Sequence, residues 1–393
     1  MQSWRAAHQA ALNADTPVLQ PQQRAWLEID HEAIRHNTAS ICRSLAAGSR
    51  LMAVVKADGY GHGAVTVAEA ALAGGASSFG VATLAEGIEL RQAGLQQPVL
   101  VLGNLQQPEE FRCCLHWQLN PTLSSLRQGL IASNVAVAAG RPLGAHLKLD
   151  TGMARLGIDW QDGAELLEQL AALDGLELLG LYSHLADADN PDQRLNHQQQ
   201  QRFEAVLRRC HELELRPGLR HLANSAGTLS SQSLHYDMVR VGLALYGQSP
   251  AAHLSQSLEL RPAMSVKARV TLLRDVPAGV GISYGHQHIT ARPSRLAVLG
   301  IGYADGVSRR LSGRMQVLAK GHRLPQVGAI TMDQLVVDAT TLPDLEIGDA
   351  VTLLGRCGEA EISPWEWSDS SDTIPWEVLC SFKHRLPRLP SGH

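Results

Sequence analysis

Between residues 51 and 242, short runs rich in Val, Ile and Leu recur eight times, and nearly every gap between them carries a helical pattern. The runs are LMAVV (51–55), FGVAT (79–83), PVLVLG (98–103), HWQLNPTL (116–123), AHLKLD (145–150), ELLGLYSH (177–184), LRHLAN (219–224) and DMVRVG (237–242). Stretches such as AVTVAEAALAGG, LAEGIELRQAG and DQRLNHQQQQRFEAVLRRCHEL fill the gaps. Eight β–α units in succession predict an α/β fold, a (β/α)8 TIM-type barrel ringed by helices. An open doubly wound sheet is the competitor, but no dinucleotide fingerprint follows the first run. GIGYADG at 300–306 does not supply one, because its last glycine falls one residue too late.

After about residue 257 the helical periodicity largely disappears. MSVKARVTLL, RLAVLGIGY, MQVLAKG, DQLVVDA and DAVTLLG follow one another between Gly and Pro turns, which predicts a mostly-β C-terminal domain. The expected organisation is a flexible tail over 1–25, a barrel over 26–256 and the β-rich domain over 257–393; WLEID at 26–30 could instead pair with the latter. A chain of 393 residues is too long for one ordinary core, in keeping with two domains.

Composition excludes several classes. With 45% hydrophobic and 18% charged residues the chain is globular and not disordered. A mixed net charge of −4 offers no nucleic-acid surface. No apolar run approaches the roughly eighteen residues that span a bilayer, so no membrane association is expected. Residues 1–24 lack the basic start and apolar centre of a secretory signal, and a cytoplasmic location is expected. Cysteines 42, 113, 114, 210, 357 and 380 show no metal-ligand spacing, so reduced structural thiols and no metal are expected.

The sharpest local feature is VVKADGYGHG at 54–63. Lys56 ends an apolar run, which puts it at the C-terminal mouth of the barrel, where active sites of this architecture lie. A lysine entering a partly desolvated pocket loses proton affinity, and its neutral amine can condense with a carbonyl. It can equally be a rim lysine whose stem covers apolar surface while the ammonium stays wet. His184 ends another predicted strand but is one of 17 histidines, most of which do no chemistry. Asn224 and Ser225 precede a helix start, suited either to a phosphate or to a plain N-cap.

VVKADGYGHG resembles the cofactor-lysine motif of the alanine racemases, which carry pyridoxal 5′-phosphate (PLP) on a barrel followed by a β domain. HLKLDTGMARLG (146–157), LYSHLADAD (181–189), LANSAGT (222–228), MVRVGLALYG (238–247), GVGISYG (279–285), GIGYADG (300–306) and GAITMDQ (328–334) resemble further segments, in the family's order. The resemblance runs from about residue 26 to the C-terminus. It implies a PLP-dependent isomerase that interconverts L- and D-alanine, supplies D-alanine for peptidoglycan, and works as a homodimer with shared active sites.

Residue by residue, the resemblance implies that Lys56 carries PLP, with Tyr60 and His184 near it. Asn224, Ser225, Gly242 and Leu243 match the phosphate site, in the barrel's usual phosphate-binding region. Arg240 matches an arginine that faces the pyridine nitrogen, where other PLP enzymes often place a carboxylate. An arginine neither gives up its proton nor accepts one, so the ring nitrogen stays unprotonated, the ring is a mild electron sink and quick reprotonation is favoured. Racemisation needs proton carriers on two faces. Lys56 is expected to serve the D-isomer, and Tyr284 of the opposite subunit the L-isomer. Arg155 and the partner's Met332 are expected to hold the substrate carboxylate, with Lys148, often carbamylated in the family, positioning Arg155. Tyr303, Asp333 and Trp376 are supporting residues.

Two positions depart from the family pattern. Trp376 in TIPWEVL stands where the family usually has tyrosine, and Ala329 stands where it has an entrance arginine; Asp189, Tyr303 and Arg309 are retained. Other readings are a racemase of broader or serine-preferring range and a non-catalytic PLP carrier. Carriers consist of the barrel alone, so the β-rich half argues against that class. Related decarboxylases place an acid against the ring nitrogen, which Arg240 does not fit. Without PLP, a barrel hydrolase using His184 and Asp187 would remain.

Overall fold

The computed structural model describes residues 24–391, so the tail expected over 1–25 lies outside the described residues apart from Arg24 and Ala25. These residues form two compact units that part at 263/264, with the short segment before Asp30 belonging to the second.

The first unit is the eight-stranded parallel barrel. Its strands are Arg50–Val54, Ser78–Val81, Val99–Asn104, Asn120–Leu123, Leu143–Asp150, Leu176–Tyr182, Leu219–His221 and Met238–Val241; the first seven pair in succession, and the eighth pairs with the first. The seventh and eighth meet without a regular ladder. Asp237 N donates to Arg220 O at 3.0 Å and Arg240 N to Ala223 O at 2.9 Å, which stitches that seam. Met52, Leu100, Tyr182 and Met238 form an interior layer of side chains from four strands.

The intervening helices follow their apolar periodicity. On Arg194–Glu212 the buried residues Asn196, Gln199, Phe203, Val206 and Cys210 recur at intervals of three and four, one face of a 3.6-residue helix. On His31–Ser44 the Asp30 carboxylate caps Ala33 N at 2.8 Å, and Ile34 and Ile41 are fully buried, worth roughly 1.5–3 kcal/mol each. The run HWQLNPTL is only half strand. The helix Pro108–Trp117 continues through its start, because Phe111, Cys114 and Leu115 keep helical spacing, and Gln118 ends it in the left-handed region at φ 54°.

The second unit is a nine-stranded, mostly antiparallel sheet. Its axis is the strand Met264–Val276, which pairs with Ala25–Ile29, Ser294–Leu299 and Ala350–Cys357. Residues 264–270 alternate buried and half-buried, as a strand with one covered face requires. Residues 26–29 of WLEID therefore lie in this sheet, while Asp30 already belongs to the barrel unit. Two helices close the unit, Pro364–Ser371 and Pro375–Ser381. The sequence reading passed over them, although Ser363 and Glu366 form a reciprocal capping box with Pro364 in the first turn. No helix of the described residues is long and apolar enough to cross a membrane.

Candidate active site

Lys56 follows the first barrel strand, and the chain after it does something unusual. Ala57, Asp58 and Gly59 take φ of 54–58° with ψ of 43–49°, and Tyr60 has φ of 52°, a full turn of left-handed helix. Only Gly59 has no Cβ to crowd. The other three residues cost roughly 1–2 kcal/mol each in this conformation. A strained turn is kept only where its surroundings enforce it, and such turns cluster at functional sites.

Tyr60 is carried inward by this turn, and its ring centroid lies 4.7 Å from that of the fully buried Tyr246. Its hydroxyl reaches the backbone of Gly242. A Cβ added at Gly242 would stand 2.5 Å from Tyr60 Oη, so only glycine fits there. Ser225 completes the same corner. Its Oγ accepts from Gly242 N at 3.0 Å and from Ala244 N at 3.3 Å, which leaves the hydroxyl proton available to donate. The N-cap role falls to Asn224, whose Oδ1 accepts from Gly227 N at 2.9 Å. Leu243 opens the 3-10 turn Leu243–Tyr246, where an N–H has no acceptor within its own turn. Tyr60 and Ser225, 165 positions apart in sequence, thus both converge on Gly242.

Arg240, on the last barrel strand, is the hub of a second cluster. Its guanidinium is 3% exposed and donates to Ser183 O at 2.6 Å and Leu222 O at 3.1 Å. It also donates to His184 Nδ1 and His221 Nδ1, both at 3.1 Å. A guanidinium only donates, so both ring nitrogens accept, and the tautomers follow. The proton of His221 sits on Nε2 and points to His146 Nδ1 at 3.0 Å. Gly180 leaves room for that imidazole, since a Cβ there would lie 2.3 Å from His146 Nδ1. Tyr182 stacks on His221 with centroids 4.7 Å apart and lies under the Arg240 guanidinium at 5.0 Å. Burial pulls Arg240 down to about 10, which leaves it charged at neutral pH.

Burial, then the cations of Arg240, Lys148, Arg155 and Lys56, hold His184 well below the usual histidine range. Burial and then Arg240, Arg155 and Lys56 bring Lys148 down to about 8. The two side chains feel the same cations, which places Lys56, Lys148, Arg155, His184 and Arg240 in one field. That field is strongly positive, and Arg155 stands exposed at its edge. It suits an anionic ligand.

The remaining expected residues belong to the second unit, where loops bring most of them together. Tyr284 is 73% exposed on a turn between Gly281–Ile282 and His288–Ile289, with Ser283 and His286 both at positive φ. Ser283 Oγ donates to Ala329 O at 2.7 Å, which ties that turn to the TMDQ loop. Tyr303 N donates to Thr331 O and Ala304 N to Met332 O, each at 3.0 Å. Tyr303, Met332 and Tyr284 are all exposed large side chains on this joined set of loops. Asp333 is held by Arg385 at 2.7 Å, and Arg385 also reaches the fully buried Asp305 at 3.4 Å. Arg24 grips Asp305 through both carboxylate oxygens at 2.7 Å. Trp376 is half-buried as the second residue of Pro375–Ser381, Ala329 is buried, and the exposed Arg309 opens the 3-10 turn Arg309–Leu311; Asp189, in the barrel unit, is exposed in a loop.

Sequence reasoning missed His146, His221, Tyr182, Tyr246, Arg24 and Arg385. For the first three a signal existed. Each is a polar side chain inside an apolar barrel strand, and His146 and Lys148 share a face at a spacing of two.

The family model for the alanine racemase N-terminal domain matches residues 29–250, and that for the alanine racemase C-terminal domain matches residues 263–390. Alanine racemase of Prochlorococcus marinus is 54% identical over 375 residues, covering 94% of this chain and 97% of its own. That of a Nostoc species is 52% identical, covering 93% of this chain and 96% of its own. Among solved structures, alanine racemase from D-cycloserine producing Streptomyces lavendulae superposes with a TM-score of 0.89 at 37% identity, covering 96% of this chain and 98% of its own. Alanine racemase from Bacillus anthracis with bound L-Ala-P gives 0.87 at 35% identity, covering 95% of each chain.

Proposed function

The chain belongs to the alanine racemase family, an isomerase family whose reaction is the interconversion of L- and D-alanine; on that premise we propose that it uses PLP on Lys56 and moves the α-proton with Lys56 and Tyr284. The observation that best supports this reading is the convergence, in one barrel mouth, of a lysine, a donor-lined corner and a buried permanent cation.

The donor set fits PLP. Lys56 would hold it covalently. Its phosphate would take the Ser225 hydroxyl, the Tyr60 hydroxyl and the amides about Gly242 and Leu243, a small concave donor cluster of the kind a dianion needs. Arg240 would face the ring nitrogen, with His184 alongside. Bound there, the cofactor supplies an electron sink that acidifies the α-hydrogen of an attached amino acid.

The rest is done by the chain's own residues. Arg240 keeps its proton because it is fixed by four acceptors and stays cationic at neutral pH. Arg240 would give no proton to a ring nitrogen facing it, which would keep the bound cofactor a mild electron sink and favour quick return of the proton to Cα. Lys56 Nζ takes or gives the α-proton on one face, and Tyr284 Oη does so on the other, as inversion requires. Arg155 meets the substrate carboxylate, and the N–H of the partner subunit's Met332 completes that grip. Tyr284, Met332 and Tyr303 lie exposed on joined loops, as they would if they faced the barrel of a second copy in a homodimer. A small amino-acid substrate is the partner this reading requires.

The test is Lys56→Ala. The purified variant should lose both the visible absorption of bound cofactor and racemisation. A variant that retains full activity, with borohydride fixing the cofactor to another lysine, would overturn the assignment.

A further inference from the structure

The geometry points to Glu86 as the positioning residue for Lys56: its carboxylate holds the left-handed turn that aims the lysine. Glu86 is the third residue of the helix Leu84–Gln92 and part of its capping box, since its own N–H donates to Thr83 Oγ1 at 3.3 Å. One carboxylate oxygen is used locally. Oε2 accepts from Ala82 N at 2.6 Å and from Thr83 N at 3.1 Å. The other oxygen is not needed by the helix. Oε1 accepts at 2.8 Å from Ala57 N, the amide directly after Lys56 and 29 positions away.

That amide is the entry to the strained turn. Ala57 is the first residue forced to positive φ, and releasing its N–H frees the torsion that sets the direction of the preceding lysine. The far end is pinned separately. Asp58 Oδ1 accepts from Ala64 N at 3.0 Å, and Gly63 N donates to Asp58 O at 2.9 Å. A Cβ on Gly59 would stand 3.0 Å from Val67 Cγ2, so the middle of the turn is packed on the helix Ala64–Ala73. Of these anchors, only Glu86 acts beside Lys56. A charged acceptor is the strong choice for such a hold. Gln in its place has one acceptor oxygen for two jobs, and its NH2 would face backbone donors.

The inference rests on Lys56 being the reactive lysine, so the experiment includes a measurement that does not. Hydrogen exchange of the peptide spanning 55–63 is compared among wild type, Glu86→Ala, Glu86→Gln and Thr83→Ala, with kcat and KM for alanine measured on the same holoenzymes. Thr83→Ala weakens the same helix cap but leaves the bond from Ala57 intact. Glu86→Ala should speed exchange in this peptide about tenfold. It should lower kcat on the order of 100-fold through misplacement of the lysine, with KM changed far less. Glu86→Gln should fall between, and Thr83→Ala should match wild type in exchange and in kcat. Unchanged exchange in Glu86→Ala, or equal losses of kcat in Glu86→Ala and Thr83→Ala, would overturn the proposal. If Lys56→Ala stays active while Glu86→Ala still loosens the peptide, it is the reading of Lys56 that fails, and the hold on the turn stands.

Discussion

Arg240 donates to Nδ1 of His184 at 3.1 Å, and this one contact fixes the chemical state of both residues. The histidine must accept on that nitrogen, so it is neutral with its proton on Nε2, in agreement with the burial and cations that hold its proton affinity far down. Arg240→Met should therefore act twice. It leaves the Nδ1 atoms of His184 and His221 and two carbonyls without their donor, at about 1–3 kcal/mol for each group that finds no other partner. It also removes the cation that, after burial, does most to hold His184 below its usual range. Burial remains, so histidine titration followed by NMR should show a partial rise of that group together with a lower melting temperature and lost racemisation. A variant with unchanged melting temperature and titration would mean the guanidinium holds nothing in place.

Lys148 is buried and brought down to about 8, so near that pH a substantial share of it is a neutral amine. Such an amine adds to carbon dioxide, the new N–C bond forming as one proton leaves, and the carbamate anion would attract Arg155. With 13C-labelled bicarbonate, NMR should show a carbamate carbon that Lys148→Met abolishes. Without carbon dioxide the sign of the pH effect follows from the lowered value. Between pH 8 and 10.5 the unfolded chain binds the extra proton, so this lysine's burden on stability is full below 8 and fades as pH rises through that window. Lys148→Met should flatten that part of the stability profile. A labelled signal that survives the substitution would place the carbamate elsewhere.

What the sequence disclosed and what it hid divide along contact range. The barrel strands were legible because each is a local apolar run followed by a helical period, and Lys56 with Tyr60 could be read because five residues, KADGY, carry both. Ser225 and Gly242 were legible only as separate motifs. Nothing in either segment says that Tyr60 Oη fills the space where a Cβ of residue 242 would go. The bond from His146 to His221 spans 75 positions, and that from Ala57 to Glu86 spans 29. Periodicity shows which way a side chain faces but not which residue it meets. The extent of HWQLNPTL failed for a different reason, since a short apolar run cannot by itself separate a helix end from a strand start.

Tyr284 stands 73% exposed on a turn with left-handed residues, Ser283 and His286, on both sides. Tyr284→Phe should keep the cofactor spectrum and almost eliminate exchange of the α-proton of L-alanine. If the residue acts across a dimer, mixing Tyr284→Phe with Lys56→Ala subunits should restore part of the activity through heterodimers carrying one intact site. Recovery that fails in demonstrably mixed dimers would count against the shared site, and wild-type exchange in the phenylalanine variant would point to another base.

Trp376 is the departure from the family pattern with the most to say about substrate choice. Pro375 is the buried first residue of its helix and fixes the backbone φ just before Trp376, whose indole is half-buried. A tyrosine hydroxyl both donates and accepts, whereas the indole has one N–H and a larger apolar body. We expect the ring to supply apolar packing at the inner wall of the site while phosphate binding leans on Tyr60, Ser225, Gly242 and Leu243. One missing hydrogen bond to a charged group is worth roughly 1.5–3 kcal/mol unless water takes its place. Trp376→Tyr should then tighten PLP by about tenfold or more and shift the ratio of alanine to serine turnover, with the chemistry at Lys56 intact. Equal PLP affinity and an equal substrate ratio in variant and wild type would put the indole outside the site and remove it from any account of specificity.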